Sequence, residues 1–331
     1  MALRLVYFGL PLGALLLAGD GHEPLLTVLS PAAAPGRRRL RRTARGIVLE
    51  ADELAGAREL ELLQRLRHDP PDLVVSWFWT RRLPGDWLHL PKRAAFGVHP
   101  SLLPRHRGPD PYFWAIDSGD SETGVSAHLL EERYDVGAVL GVERLSVGTR
   151  NAWQLARALD RPSLRVLRAI VARYAVGDAP RPVPQDEAMA TLAPEPEGDL
   201  LTVDFAWSTS RVLRRIRALS PVPGLGLEID GIRFHVTAAR PGATHVSSLE
   251  PGEAELSQDQ GLALKTVDGA FVVEQAMLSD EDGGGSIAGI DLVALIRERT
   301  GRSLLRGNVF CRPSETREAS ETGIDSESGG K

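Results

Sequence analysis

The chain has 331 residues, 43% of them apolar and 25% charged, which is enough for two globular domains each with its own core. A formal net charge of −5 excludes a global attraction to nucleic acid or anionic membrane, so any such binding needs a local patch. A single cysteine, Cys311, excludes an internal disulfide framework and a cysteine-built metal site, which fits a reducing, cytoplasmic setting.

The apolar stretch from Leu5 to Ala18 is interrupted by Gly9 and Pro11. That favours a buried strand over Leu5–Phe8, a turn and a helix starting near Pro11 over a signal peptide. No apolar run reaches the roughly 18 residues of a membrane span. Leu25–Leu29 reads as a second strand. Glu53 to Arg67 has helical spacing, with Leu54, Leu60, Leu62, Leu63 and Leu66. Asp72 to Trp79 is a continuous apolar strand with a polar entry, and Ala94–Val98 is another. Gly124–Leu130 and Ala138–Val142 form a further pair, and Trp153 to Tyr174 is a long amphipathic helix. Strands alternating with helices predict a doubly wound, Rossmann-like parallel α/β domain over residues 1–178.

Residues 179–200 are rich in proline and read as a linker. Beyond them, Trp207 to Leu219 is helical. Gly231–Ala238, Gly261–Thr266 and Ala270–Met277 are strands, the last two joined through the hairpin signal Val267-Asp268-Gly269. Ile290 to Arg299 is a helix ended by Gly301. The pattern predicts a small β-rich, OB-like domain over 201–312. From 313 to 331 the chain is Ser, Glu, Thr and Gly with almost no apolar residues, and reads as disordered.

The candidate site lies where strand Ala94–Val98 delivers His99 at its carboxyl end, the edge at which open α/β sheets bind ligands. A second loop, Glu131 to Gly137, carries Asp135 beside a glycine. A carboxylate that orients an imidazole and stabilises its cation makes an acid/base pair. Ser101 reads as a loop-positioning residue, and His128 as a sheet residue or a second imidazole of the site. His106 reads as a solvated loop residue, and Asp110, Asp120 and Glu122 as turn and surface groups. Arg37, Arg38, Arg39, Arg41, Arg42 and Arg45 form a basic run after the second strand. It is either a solvated loop or a phosphate-gripping one. Arg211, Arg214, Arg215 and Arg217 add a basic stripe on one helix.

Several motifs recur in a specific order. They are Val98-His99-Pro100-Ser101-Leu102-Leu103-Pro104 with Arg107-Gly108, then Gly119-Asp120-Ser121-Glu122-Thr123-Gly124-Val125. Asp135-Val136-Gly137 and Arg217-Ala218-Leu219-Ser220-Pro221-Val222-Pro223-Gly224 follow. Over roughly residues 3 to 300 the chain resembles the folate-dependent formyltransferases, above all their methionyl-tRNA and aminosugar branches. The resemblance implies transfer of a formyl group from the co-substrate 10-formyltetrahydrofolate to an amine, with no metal and no membrane. It implies catalytic roles for His99 and Asp135, with Ser101 and His128 in support. Trp79, Arg81, Leu83, Leu102, Leu103 and Pro104 would contact the folate. In the methionyl-tRNA branch, Arg37, Arg38, Arg39, Arg41 and Arg42 would grip initiator tRNA. In the small-amine branch the acceptor would be an aminosugar nucleotide or a similar compound. A catalytically weak relative that binds folate or RNA is the remaining alternative. The chain departs from the family pattern at Gly97, where an asparagine amide would donate to the formyl oxygen.

Overall fold

In the computed structural model, residues 1–242, 248–257, 261–279, 282, 284–306 and 309–311 are described. The chain forms two compact units, residues 1–196 and 197–331.

The first unit begins with β1 (Leu5–Gly9) and α1 (Pro11–Gly19). Pro11 opens that helix, where its missing N–H costs nothing. β2 (Pro24–Leu29), α2 (Arg37–Thr43), β3 (Ile47–Glu50) and α3 (Gly56–His68) follow. Next come β4 (Leu73–Trp77), α4 (Gly85–Leu88), β5 (Ala94–His99) and α5 (Pro111–Asp117). β6 (Glu122–Leu129), β7 (Val139–Ser146) and α6 (Ala152–Ala175) complete the unit. Asn151 and Gln154 build a reciprocal capping box at the start of α6. The sheet order is β3-β2-β1-β4-β5-β6-β7. The first five strands are parallel, and β6 and β7 are antiparallel additions at one edge. The interior of the sheet is fully apolar in β1, where Leu5, Val6, Tyr7 and Phe8 are all buried, as expected of a strand covered on both faces.

The segment expected to be a linker is hydrogen-bonded along the first unit as far as Ala193. Val183 exchanges backbone hydrogen bonds with Val139, Ala193 N–H donates to Arg107 O, and Arg107 N–H donates to Thr191 O. Ala193 is completely buried. Its prolines suit an extended strap as well as a free linker, because both are short of backbone donors.

The second unit holds α7 (Thr209–Ala218), β8 (Leu225–Ile229), β9 (Ile232–Pro241) and β10 (Ala254–Ser257). β11 (Gly261–Lys265), β12 (Ala270–Leu278), β13 (Gly285–Ala288), α8 (Gly289–Thr300), β14 (Leu304–Leu305) and β15 (Val309–Cys311) follow. Its strands run in the order β14-β10-β11-β12-β9-β8-β15, with β13 on β12, in an antiparallel, barrel-like sheet. Thr266 N–H donates to Gly269 O at the hairpin read from sequence. The tail read as disordered, 313–331, lies outside the described residues.

Candidate active site

Sheet register sets the site. Ser76 of β4, Gly97 of β5 and His128 of β6 are neighbours across three strands, and His99 pairs with Ser126 one step further along β5. Residues two apart on a strand share a face, as do directly paired residues. Ser76, Gly97, His99 and His128 therefore look the same way. A register irregularity in the β6–β7 pairing falls between Ala127 and His128, the kind of bulge that re-aims a side chain.

Asp135 sits between the two imidazoles. Its Oδ2 is 3.5 Å from His99 Nδ1 and its Oδ1 is 3.5 Å from His128 Nε2. The outer nitrogens are both committed. His99 Nε2 lies 2.8 Å from His106 O, and His128 Nδ1 lies 2.8 Å from Leu129 O. A carbonyl can only accept, so each outer nitrogen carries its proton. Each inner nitrogen of the neutral rings is bare and faces the carboxylate. Burial pushes the His128 imidazole down to about 4, against the pull of Asp135. His128 is therefore neutral near pH 7.

Asp135 has φ +57°, a left-handed conformation that aspartate tolerates better than most residues. Two glycines make the loop possible. A Cβ on Gly137 would lie 2.0 Å from Leu129 O, and Gly108, at φ +122°, brings its N–H to 3.0 Å from Asp135 Oδ2. Gln185 then holds the loop from the strap. Its Nε2 donates to Asp135 O at 2.8 Å and to Gly137 O at 2.7 Å, while its Oε1 accepts from Arg107 Nε and Nη2 at 3.0 and 2.7 Å. Arg107 is 5% exposed and also pairs with Glu187 at 2.8 Å. Neither Gln185 nor the Arg107 side chain has a role legible from sequence; a glutamine among prolines carries no local signal.

A cavity of about 500 Å3 opens beside these groups, a size suited to a small organic ligand. Trp79, Arg81, Leu83, Gly97, His99, His128 and Asp135 all line it, as do Ser76 and Tyr112. Leu102, Leu103 and Pro104 do not. There the chain turns away from the cavity: Leu103 N–H donates to Ser126 Oγ, and Leu102 Cδ2 lies beside Gly124. Ser101 is fully buried and donates to Arg105 O at 2.6 Å, which braces the loop as its residue type suggested. His106 is not solvated. It is 3% exposed, at φ +58°, with Nε2 2.7 Å from Asp120 Oδ2 and its carbonyl on His99. Asp120, expected to be a surface group, thus anchors the loop.

The space over Gly97 is bounded by side chains. A Cβ there would meet Leu130 Cδ2 at 3.0 Å and Ser76 Cβ at 3.5 Å.

The basic run differs from its expectation as a loop. Arg37–Thr43 forms α2, since long unbranched side chains favour helix. Arg37 pairs with Glu50 and donates to Ala32 O at 2.8 Å, and Arg41 pairs with Glu50 at 2.7 Å. Arg38, Arg39 and Arg42 stay exposed. On α7, Arg215 is buried and donates to Leu200 O and Thr202 O at 2.8 and 2.9 Å, while Arg211 stacks 4.4 Å over Trp207. The expected stripe on that helix is therefore partly spent on its own unit. Among the described residues, no helix is long and apolar enough to cross a membrane.

Comparison with known proteins agrees with this architecture. A family model described as formyl transferase matches residues 19–158, and one described as formyl transferase, C-terminal domain, matches residues 199–282. The chain belongs to the formyl transferase family, whose members are one-carbon transferases. It is 32% identical over 317 residues to a methionyl-tRNA formyltransferase of Anaeromyxobacter dehalogenans, covering 90% of this chain and 98% of that one. It is 35% identical over 213 residues to the Myxococcus xanthus methionyl-tRNA formyltransferase, covering 63% of this chain and 66% of that one. In fold it is similar to an N-formyltransferase from Helicobacter canadensis bound to folinic acid and dTDP-3-aminofucose. That match has a TM-score of 0.64 and 11% identity, over 82% of this chain and 98% of that one. HypX from Aquifex aeolicus in complex with tetrahydrofolic acid matches with a TM-score of 0.61 and 19% identity, over 90% of this chain and 48% of that one.

Proposed function

We propose that this chain transfers the formyl group of 10-formyltetrahydrofolate to the amine of methionyl-tRNA, with His99 and Asp135 as its acid/base pair. The observation that carries the reading is the inward-facing Asp135 carboxylate set between two imidazoles of fixed tautomer at the carboxyl edge of a parallel sheet, beside a 500 Å3 cavity. The cavity suits a folate. Its walls are mainly apolar and aromatic, and a buried indole N–H, Trp79 Nε1, has no partner among the described residues. Trp79, Arg81 and Leu83 form that wall, whereas Leu102, Leu103 and Pro104 brace the loop from behind.

The folate supplies the formyl carbon. The acceptor amine attacks that carbon, a new C–N bond forms, and the carbonyl electron pair moves onto oxygen. His99 Nδ1, bare and backed by Asp135, takes the proton released by the amine. When the intermediate collapses, the bond to the folate nitrogen breaks and the same proton goes to that leaving nitrogen. Neutral His128, its bare Nε2 toward Asp135, carries no charge. The relatives' acceptor, the match to the second domain and the exposed Arg38, Arg39 and Arg42 support a tRNA acceptor.

The test is formyl transfer by the purified chain from 10-formyltetrahydrofolate to methionyl initiator tRNA and, separately, to aminosugar nucleotides. Turnover is expected with the tRNA. His99→Ala should lower kcat by about 10²–10⁴-fold. Turnover only with the sugar would move the acceptor to the small-amine class. An unchanged rate in His99→Ala would remove His99 from the chemistry.

A further inference from the structure

We infer that the hydroxyl of Ser76 is the hydrogen-bond donor to the formyl oxygen; this deepens the formyl-transfer reading and rests on it. The reaction builds negative charge on that oxygen, and catalysis of such steps depends on a donor already aimed at it. Gly97, at the centre of the site, has no side chain to offer.

Register places the substitute. Ser76 is the strand partner of Gly97, and its Cβ stands 3.5 Å from the point where a Gly97 side chain would begin. It shares the face that carries His99 and His128, and it lines the cavity. The two neighbouring serine hydroxyls are spent. Ser126 Oγ donates to Ser101 O and accepts from Leu103 N–H. Ser163 Oγ donates to Asp160 O and accepts from Trp77 Nε1. The inner nitrogens of His99 and His128 are bare, and their protons point at backbone carbonyls. Ser76 is only 9% exposed, yet no side chain or backbone group among the described residues hydrogen-bonds to its hydroxyl. A hydroxyl without a protein partner at a pocket wall is free to donate to whatever occupies the pocket. Leu130 closes the opposite side of the Gly97 gap, which keeps water away from the oxygen and strengthens a single neutral donor.

A donor of this kind is felt in the transition state more than in substrate binding. Ser76→Ala should therefore lower kcat by about 10²-fold while KM for folate and acceptor stays within about twofold. Ser76→Cys, with a weak S–H donor, should fall between the two. A readout independent of the acceptor is the infrared carbonyl band of formyl-¹³C-labelled folate bound to the full chain. The band should move to higher frequency in Ser76→Ala as the hydrogen bond is lost. If wild type binds and transfers the formyl group while Ser76→Ala changes neither rate nor band, the role of Ser76 is overturned and formyl transfer stands. If the rate and band respond to Trp79→Phe instead, the donor is the Trp79 indole and the inference is equally overturned. If wild type binds no formyl-folate, the formyl-transfer reading falls, and the role of Ser76 falls with it.

Discussion

Replacing Gln185 with alanine removes four hydrogen bonds from one point. Two hold the carbonyls of Asp135 and Gly137, and two satisfy the guanidinium of Arg107. Each neutral bond is worth about 1 kcal/mol net, and a bond to a charged group about 1.5–3 kcal/mol. Arg107 keeps its pairing with Glu187, which is 68% exposed, so its loss falls at the lower end. The net cost is about 5 kcal/mol, which for a unit of this size shifts the melting temperature by roughly 10–20 °C. The effect on turnover is separable. Without Gln185 nothing from the strap restrains Asp135 in its left-handed conformation, and a displacement near 1 Å at a reacting group costs up to about 10²-fold in rate. Gln185→Glu keeps the acceptor for Arg107 and loses both donors to the loop. It should therefore lose as much kcat as Gln185→Ala with a smaller fall in melting temperature. Thermal unfolding and steady-state formyl transfer read both. A Gln185→Ala protein that melts within about 2 °C of wild type with unchanged kcat would show that the strap does not hold the site.

Gly97→Asn places a Cβ 3.0 Å from the tip of Leu130, an overpacking expected to cost about 1–3 kcal/mol. In a Leu130→Ala background the cost should shrink, which a double-mutant cycle by chemical denaturation measures; additive costs would mean that Leu130 is not the obstacle. His128 gives a pH prediction. Its folded value near 4 lies below the value of about 6.5 for an imidazole in the unfolded chain. As pH falls the unfolded state binds the proton first. The stabilisation is thus complete above pH 6.5 and is lost between about 6.5 and 4. His128→Phe should flatten the fall in melting temperature over that window, and parallel curves for the two proteins would refute the assignment.

The parts of the fold that were legible in the sequence are those with local causes. β1 and β4 read as strands because they are continuous apolar runs bounded by turn residues, and the capped, periodic α6 read as a helix. His99 was legible because it ends a buried strand, and Asp135 because a glycine follows closely in its loop. The rest depends on distance in sequence. Gln185 lies 50 residues from Asp135 and 78 from Arg107, and no local pattern marks such a bridge. α2 was missed because its arginines suggested a solvated loop, whereas Glu50 pairs with two of them. His106 was misread for the same reason: its partner Asp120 is 14 residues away, across α5.

The burial of His106 bears on how the site works. Two imidazoles around one carboxylate could take several protonation patterns, and most would leave a proton pointing the wrong way. The protein settles this with peptide carbonyls rather than side chains: His106 O fixes His99, and Leu129 O fixes His128. A carbonyl only accepts, so those two peptides fix the tautomer of each neutral ring and leave its inner nitrogen as the one that can take a proton. Leu129 is held by the sheet. His106 is held in an unfavourable left-handed conformation, which persists only where surrounding bonds over-determine it. Those bonds come from Asp120, which meets its ring, and from Thr191 on the strap, which accepts its backbone N–H at 2.9 Å. The strap thus reaches the chemistry twice, through Gln185 to the carboxylate and through Thr191 to the carbonyl that sets the tautomer of His99. A segment that looks like a linker by composition thus supports the proposed acid/base pair.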